Sequence, residues 1–286
     1  MTADAGPRTG LRQLSNDDLA AVVRLLVRQP VHNVFVSSRV RHLGLDPFVL
    51  GCPIWGYWRD EELVALCHAG SNLVPVGAGD PDILAAFAEE AGAYRRCSSI
   101  SGDASLALGL WRALCDRWGG AWEATREVRA EQPLMLMDQD PELPGDPRVE
   151  VVTERDYDAY FSAAVEMYTE EVGVSPLEPS PSAYRSYVHS LINSSRAFGM
   201  LEDGRVLFKS DLGSVSGSHC QVQGVWLDSS LRGQGLAAPM MSSVVRLARR
   251  ISPHVSLYVN SYNTRALRTY ERVGFQRVGT LATILY

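Results

Sequence analysis

The residues whose types and spacing could do chemistry are Arg232-Gly-Gln-Gly-Leu-Ala237. They lie between an apolar-rich run ending at Leu227 and an apolar-periodic run from Ala238 to Ile251. Glycines at 233 and 235 let backbone N–H groups turn toward a ligand without a Cβ in the way, and a helix starting here brings the positive end of its dipole to the same spot. Arg232 adds a guanidinium. The physics is that of a diphosphate cradle. A Walker loop would need Lys-Ser/Thr after its last glycine, and Leu236 and Ala237 stand there instead. A dinucleotide fingerprint is formally present as Gly233-x-Gly235-x-x-Ala238, but its ribose-binding acid should close the next strand. That strand, Val255 to Asn260, ends in an amide. A plain turn accounts for an isolated pair of glycines equally well.

The stretch Asn263-Thr-Arg-Ala-Leu-Arg-Thr-Tyr-Glu-Arg-Val-Gly-Phe275 reads as a helix that Asn263 can cap and Gly274 can stop, with Ala266 and Tyr270 on one face. An amphipathic helix burying an aromatic ring would look the same on that face alone.

Taken together, the two stretches resemble the GNAT superfamily of N-acetyltransferases. RGQGLA matches that family's Arg/Gln-x-x-Gly-x-Gly/Ala acetyl-CoA motif, and NTRALRTYERVGF matches its Asn-x-x-Ala-x-x-x-Tyr…Gly-Phe helix. The resemblance covers roughly Arg148 to Tyr286. It implies that the backbone of Val225, Trp226 and Leu227 faces the pantetheine arm and the acyl carbonyl. Arg232, Gly233, Gln234, Gly235, Leu236 and Ala237 would hold the diphosphate, with Asn260 and Asn263 on the pantetheine amides. Tyr270 would stand beside the thioester sulfur. Direct transfer follows: an amine attacks the thioester, and a tetrahedral intermediate collapses to CoA thiolate. The Tyr270 hydroxyl can protonate that leaving group, and a backbone N–H of the 225–227 strand can hold the oxyanion. Acetyl-CoA is then the acyl donor, with no metal.

The elements that position these residues occur twice. Leu11–Leu14 and Val149–Val152 read as short strands, each followed by Ser/Thr with an acid three residues on, a helix-start signature. Ile54–His68 and Phe198–Leu212 read as hairpins. Each half then continues as strand, glycine loop, helix, strand, helix, strand, closing with Trp122–Met137 and Gln276–Tyr286. The expected fold is α/β (α+β), with two GNAT-like domains, each a mixed, mostly antiparallel sheet flanked by helices. Three prolines, a glycine and four acids from Asp138 to Pro147 read as a linker. The boundaries are therefore 1–140 for a degenerate N-terminal domain and 148–286 for a catalytic one. The tandem proteins of the family have the same plan, a divergent N-terminal half before an intact C-terminal one. In the first half the corresponding loop is Val76-Gly-Ala-Gly-Asp-Pro81, without an arginine, and Asp80 would oppose a phosphate. Leu110 lies near where the tyrosine should be.

A base for the acceptor amine is expected among Glu170, Glu171, Asp211, His219 and Asp228, with Glu171 preferred because Tyr168–Gly173 lies where the family's first helices wall the acceptor site. Each also has a bland reading: solvated helix end, edge-strand charge, packed imidazole, turn residue. Lys+Arg is 27 against Asp+Glu 33, a net charge of -6, which disfavours nucleic acid as partner and tilts toward a cationic acceptor. The most apolar stretch, Phe48 to Trp58, is too short to cross a membrane, and the first ten residues have no apolar core for a signal peptide. Five widely spaced cysteines read as reduced thiols of a cytoplasmic protein. The reading is an acetyl-CoA-dependent N-acetyltransferase acting on a primary amine of a small molecule or peptide. The alternative is a non-catalytic acyl-CoA-binding or regulatory protein.

Overall fold

A computed structural model describes residues 9–178 and 180–286. The first half runs β1 (Gly10–Gln13), α1 (Leu19–Leu26), α2 (Val34–Leu43), α3 (Pro47–Leu50), β2 (Ile54–Arg59), β3 (Glu62–Ala69), β4 (Asn72–Gly77), α4 (Pro81–Ala91), β5 (Ser99–Asp103), α5 (Ala104–Trp118) and β6 (Glu127–Met137). The second runs β7 (Glu150–Val151), α6 (Tyr157–Val172), α7 (Pro181–Asn193), β8 (Ala197–Glu202), β9 (Arg205–Ser216), β10 (His219–Leu227), α8 (Ala237–Arg249), β11 (His254–Tyr258), α9 (Thr264–Val273) and β12 (Gln276–Leu285). The expected helix starts form reciprocal capping boxes, Ser15 with Asp18 and Thr153 with Asp156. Both hairpins close through two-residue turns at positive φ, Asp60–Glu61 and Asp203–Gly204, the twist that joins antiparallel strands without splaying them.

The chain divides into two compact units. Unit 1 is Met1–Leu134 with Tyr258–Ser261 and Val278–Tyr286, and unit 2 is Met135–Leu257 with Tyr262–Arg277. In unit 1, β1, β2, β3 and β4 pair antiparallel in turn, and β4 pairs parallel with β5. Alternation along the strands buries both faces of this sheet. Ala65, Cys67 and Leu73 face a core built with α4 and α5, while Leu66, Val74 and Val76 face one built with α1 and α2. In unit 2 the same order recurs: β7, β8, β9 and β10 pair antiparallel, and β10 pairs parallel with β11. Both sheets are mixed and mostly antiparallel, with helices against them. Helices α6 and α7 bury Tyr160, Phe161, Ala164, Val188 and Leu191 over Trp226. Helix α8 buries Met240, Met241, Val244, Val245 and Ala248.

Two expectations are corrected. The last strand was expected to close the second half. Leu281–Leu285 of β12 instead pairs antiparallel with Ser99–Asp103 of β5, and Ala282 and Ile284 enter the core of unit 1. The compact units therefore do not follow the expected cut into 1–140 and 148–286. The Pro-rich stretch 138–147 forms no helix or strand, but it is no free tether. Its backbone lies along α8, where Ser242 Oγ donates to Leu143 O at 2.5 Å, Ser243 Oγ to Asp146 O at 2.7 Å, and Arg246 to Pro141 O. Arg249 pairs with Asp140 at 2.7 Å. Extended chain without internal hydrogen bonds is satisfied here by side chains of the neighbouring helix. Among the described residues, no helix is long and apolar enough to cross a membrane.

Candidate active site

The site of unit 2 starts from a defect in its sheet. Pairing of β10 with β11 covers only His219, Cys220 and Gln221, opposite His254, Val255 and Ser256. Beyond them β10 continues to Leu227 paired on its β9 side alone, with a register shift between Gln223 and Trp226. Gly224 makes that bulge possible: its φ is +59°, and a Cβ there would lie 2.7 Å from Lys209 Nζ and 2.8 Å from Asp211 Oδ2. The backbone of Val225–Leu227 is thus left open toward the side from which β11 has diverged.

The loop after β10 is built from local bonds. Asp228 accepts from Ser230 N and Oγ at 2.9 and 2.6 Å and from Arg205 at 3.1 Å, so it is the turn residue of its bland reading. Its carboxyl is held below the usual range by the hydroxyl and backbone N–H of Ser230. Gly233 and Gly235 have φ of +81° and +77°, and a Cβ at either would touch nothing within 4 Å. The glycines are needed for backbone direction rather than room. No group among the described residues accepts from the N–H groups of Gly233, Gln234, Gly235 or Leu236, and the first turn of α8, from Ala237, adds its own orphan donors. Consecutive unclaimed N–H groups at a helix N-terminus fit a diphosphate.

Arg232 is placed differently from the expectation. Its Nε donates to Leu227 O at 2.9 Å, and its two terminal nitrogens clasp Glu170 at 2.6 and 2.8 Å. Glu170 comes from the C-terminal turns of α6 and also accepts from Trp226 Nε1 at 3.1 Å. Hydrogen bonding to Arg232 holds its carboxyl below the ordinary glutamate value. The guanidinium is therefore committed to a carboxylate.

Tyr270 is buried at 7% exposure on α9, edge-to-face with Phe275 at 6.0 Å. Burial, and then the charge of Glu171, push its phenol well above the ordinary tyrosine value, so it stays protonated. Glu171 is exposed at the end of α6. Asn263 caps α9, its side chain accepting from Ala266 N at 3.1 Å, and Gly274 ends the helix at φ +115°. Asn260 falls in unit 1, where its Oδ1 accepts from Gln132 Nε2 at 2.8 Å. Both amide oxygens expected on pantetheine are thus already engaged. His219 stacks on His254 at 4.7 Å, and burial, then the charge of His254, lower its pKa. It is a packed imidazole. Sequence reasoning missed Lys209, Gly224 and Tyr160, which surround Asp211. The Lys-x-Asp alternation and the glycine late in the strand are the signals that could have found them.

Comparison with known proteins finds likenesses in sequence and in fold. The family described as "Acetyltransferase (GNAT) family" matches residues 159–275, and a domain of unknown function, DUF4081, matches 52–160. A curated acetyltransferase of Agrobacterium fabrum is 35% identical over 63 residues, which is 22% of this chain and 45% of that protein. The match therefore spans about half the length of that relative. A GCN5-related N-acetyltransferase from Sphaerobacter thermophilus superposes with a TM-score of 0.61 at 18% identity, covering 96% of this chain and 94% of the other. A tandem GNAT protein from the clavulanic acid biosynthesis pathway does so with a TM-score of 0.55 at 12% identity, covering 96% and 97%. At these identities the likeness is one of fold.

Proposed function

We propose that this chain, whose residues 159–275 match the GNAT acetyltransferase family, transfers an acetyl group from acetyl-CoA directly to a primary amine. The observation that carries the reading is the splay of β10 from β11 after Gln221, which opens the Val225–Leu227 backbone beside unclaimed N–H groups at the head of α8. The diphosphate would sit on Gly233–Ala237, with Arg232 turning from Glu170 to meet it. The pantetheine amides would pair with Val225, Trp226 and Leu227, with Asn263 at the margin. A backbone N–H of that strand would hold the oxyanion, and the protonated Tyr270 would deliver its proton to the departing thiolate. Glu171, whose charge reaches Tyr270, is the proposed base for the acceptor amine. The first half, without an arginine in its glycine loop, would not bind the donor and would support the catalytic half.

Calorimetric titration with acetyl-CoA, with NAD as control, tests this reading. One site per chain is expected, lost on Arg232→Glu. Folded protein, stripped of bound CoA, that ignores acetyl-CoA would sink it. Tyr270→Phe separates the enzyme from a non-catalytic acyl-CoA binder, because only the enzyme has turnover to lose while affinity stays.

A further inference from the structure

Unit 2 has a pocket that involves none of the residues assigned above to donor or acceptor. It measures about 260 Å³ and lies between the Pro-rich stretch and the C-terminal end of α9. Residues 139–143 line it from one side and residues 272–274 with Gln276 from the other, and Met137 at the end of β6 completes it. Both walls are held in place. Helix α8 takes the carbonyls of Pro141 and Leu143 through Arg246 and Ser242, and Gly274 stops α9 by donating its N–H to the carbonyls of Tyr270 and Glu271. A Cβ at Gly274 would lie 2.9 Å from Met137 Cε, so only a glycine lets the helix end come this close.

The lining divides by depth. Met137, Pro141 and Val273 are apolar and buried, whereas Gln139, Glu142, Arg272 and Gln276 are polar and exposed. The rim carries charges of both signs. Asp140 is neutralised by Arg249 at 2.7 Å. Arg272 and Glu142 are not: among the described residues neither side chain has a hydrogen bond or ion pair, with the other or with any third group. Two opposite charges thus share one small pocket without meeting.

We infer that this pocket binds a free α-amino acid with an apolar side chain. The carboxylate would take the planar fork of Arg272, the ammonium would take Glu142, and the side chain would go down onto Met137 and Val273. Charge selects the class. A simple anion would leave Glu142 unmet and a simple cation would leave Arg272 unmet, whereas a zwitterion satisfies both. Depth selects the side chain, since a charged one would be carried onto an apolar floor without a partner. Size agrees: the volume falls just short of the ~300 Å³ at which pockets for drug-sized ligands begin. The inference stands apart from the acetyltransferase reading and does not need it.

The test titrates the full chain at neutral pH with L-leucine and L-methionine, followed by calorimetry and ligand-observed NMR. N-acetyl-leucine, which lacks the ammonium, and leucine methyl ester, which lacks the carboxylate, are the controls. Saturable binding of leucine or methionine is expected, at least tenfold tighter than that of either control. Arg272→Gln and Glu142→Gln should each weaken leucine tenfold or more with the melting temperature unchanged, since both side chains are exposed. The controls assign the two ends. Leucine and its methyl ester should bind Arg272→Gln alike, and leucine and N-acetyl-leucine should bind Glu142→Gln alike. Failure of both amino acids to bind the wild type at millimolar concentration overturns the inference. Controls that match leucine on the wild type, or leucine binding that either variant leaves unchanged, overturn it equally.

Discussion

At β4 and at β10 the chain does the same thing twice. Each strand pairs antiparallel on one side, pairs parallel on the other for only two or three residues, and ends in a glycine loop at the head of a helix. What fills the two corners differs. Strand β4 pairs with β3 without a register shift, and its Val74 and Val76 are buried at 5% and 4%, whereas Val225 and Leu227 are half-buried. A Cβ at Gly79 would meet Leu106 at 2.6 Å, and Leu110, fully buried, stands in α5 where α9 has Tyr270. Asp80 and Asp82 are paired with Arg59 at 3.0 and 2.8 Å. The splay is therefore a property of the fold, and what sets the second corner apart is a bulge, a loop with unclaimed N–H groups and a buried tyrosine in place of a leucine.

The sharpest way to break that comparison is the same substitution in each loop. Gly77 has φ +98°, and its Cβ would lie 2.4 Å from the carbonyl of Val64. Gly77→Val is expected to lower the melting temperature by several degrees or to prevent folding, through a backbone clash added to the ~1–2 kcal/mol of left-handed strain. Gly235 has the same hand but open space. Gly235→Val is expected to pay only the strain in stability, while acetyl-CoA affinity falls about a hundredfold as the N–H groups are re-aimed. If calorimetry and melting curves showed the two variants behaving alike, the second loop would be a turn like the first.

How much of this was legible beforehand divides along the same line. Both capping boxes, both hairpin turns and the α9 stop at Gly274 follow from local chemistry and are carried by the sequence, whereas α2, α3 and α7 lack so plain a local signal and β6 starts at Glu127 rather than Trp122. Pairing between distant segments does not follow from local chemistry. Nothing local in Gln276–Leu285 says that it joins β5, since a buried strand's apolar run fits any open edge of suitable register. At the candidate site, the positive-φ glycines before α8 and the place of Tyr270 on the buried face of α9 follow from residue type and spacing. The engagement of Arg232 by Glu170 was not, because it spans 62 residues and depends on where α6 ends. Lys209 was passed over, and Asp211 was weighed only as a base or an edge-strand charge, because alternating charges in a strand usually lie on a wet face, and here Tyr160 of α6 covers that face.

A smaller effect tests the tyrosine against its counterpart. Tyr270→Phe is expected to slow turnover by about a hundredfold, the usual reach of general-acid help, with acetyl-CoA affinity unchanged. Because the phenol is held well above its ordinary value, wild-type rates should show no decline from Tyr270 ionisation through the neutral range. Leu110→Tyr, the reciprocal change, should create no second binding site and should destabilise by about 1–3 kcal/mol, since it forces a larger, polar ring into a filled core.

The smallest effect concerns the arginines, and it decides whether the two corners differ in kind. If the Glu170–Arg232 pair holds the guanidinium in reserve, Glu170→Gln should tighten acetyl-CoA binding about three- to fivefold, the order of what a half-exposed ion pair contributes, with little change in melting temperature. The pH dependence follows from the sign of the shift. Glu170 titrates below its ordinary value in the folded protein, so the pair is fully formed above the unfolded-state value and is lost as pH falls through the lower folded one. Wild type and variant should therefore differ at neutral pH and converge only at acid pH, below the usual glutamate range. If Glu170→Gln weakened binding instead, the carboxylate would be ordering the loop for its ligand, as a fixed strut. Arg232–Glu170 would then resemble Arg59–Asp80, and the bulge at Gly224 would be left as the feature that makes one corner a site and the other a core.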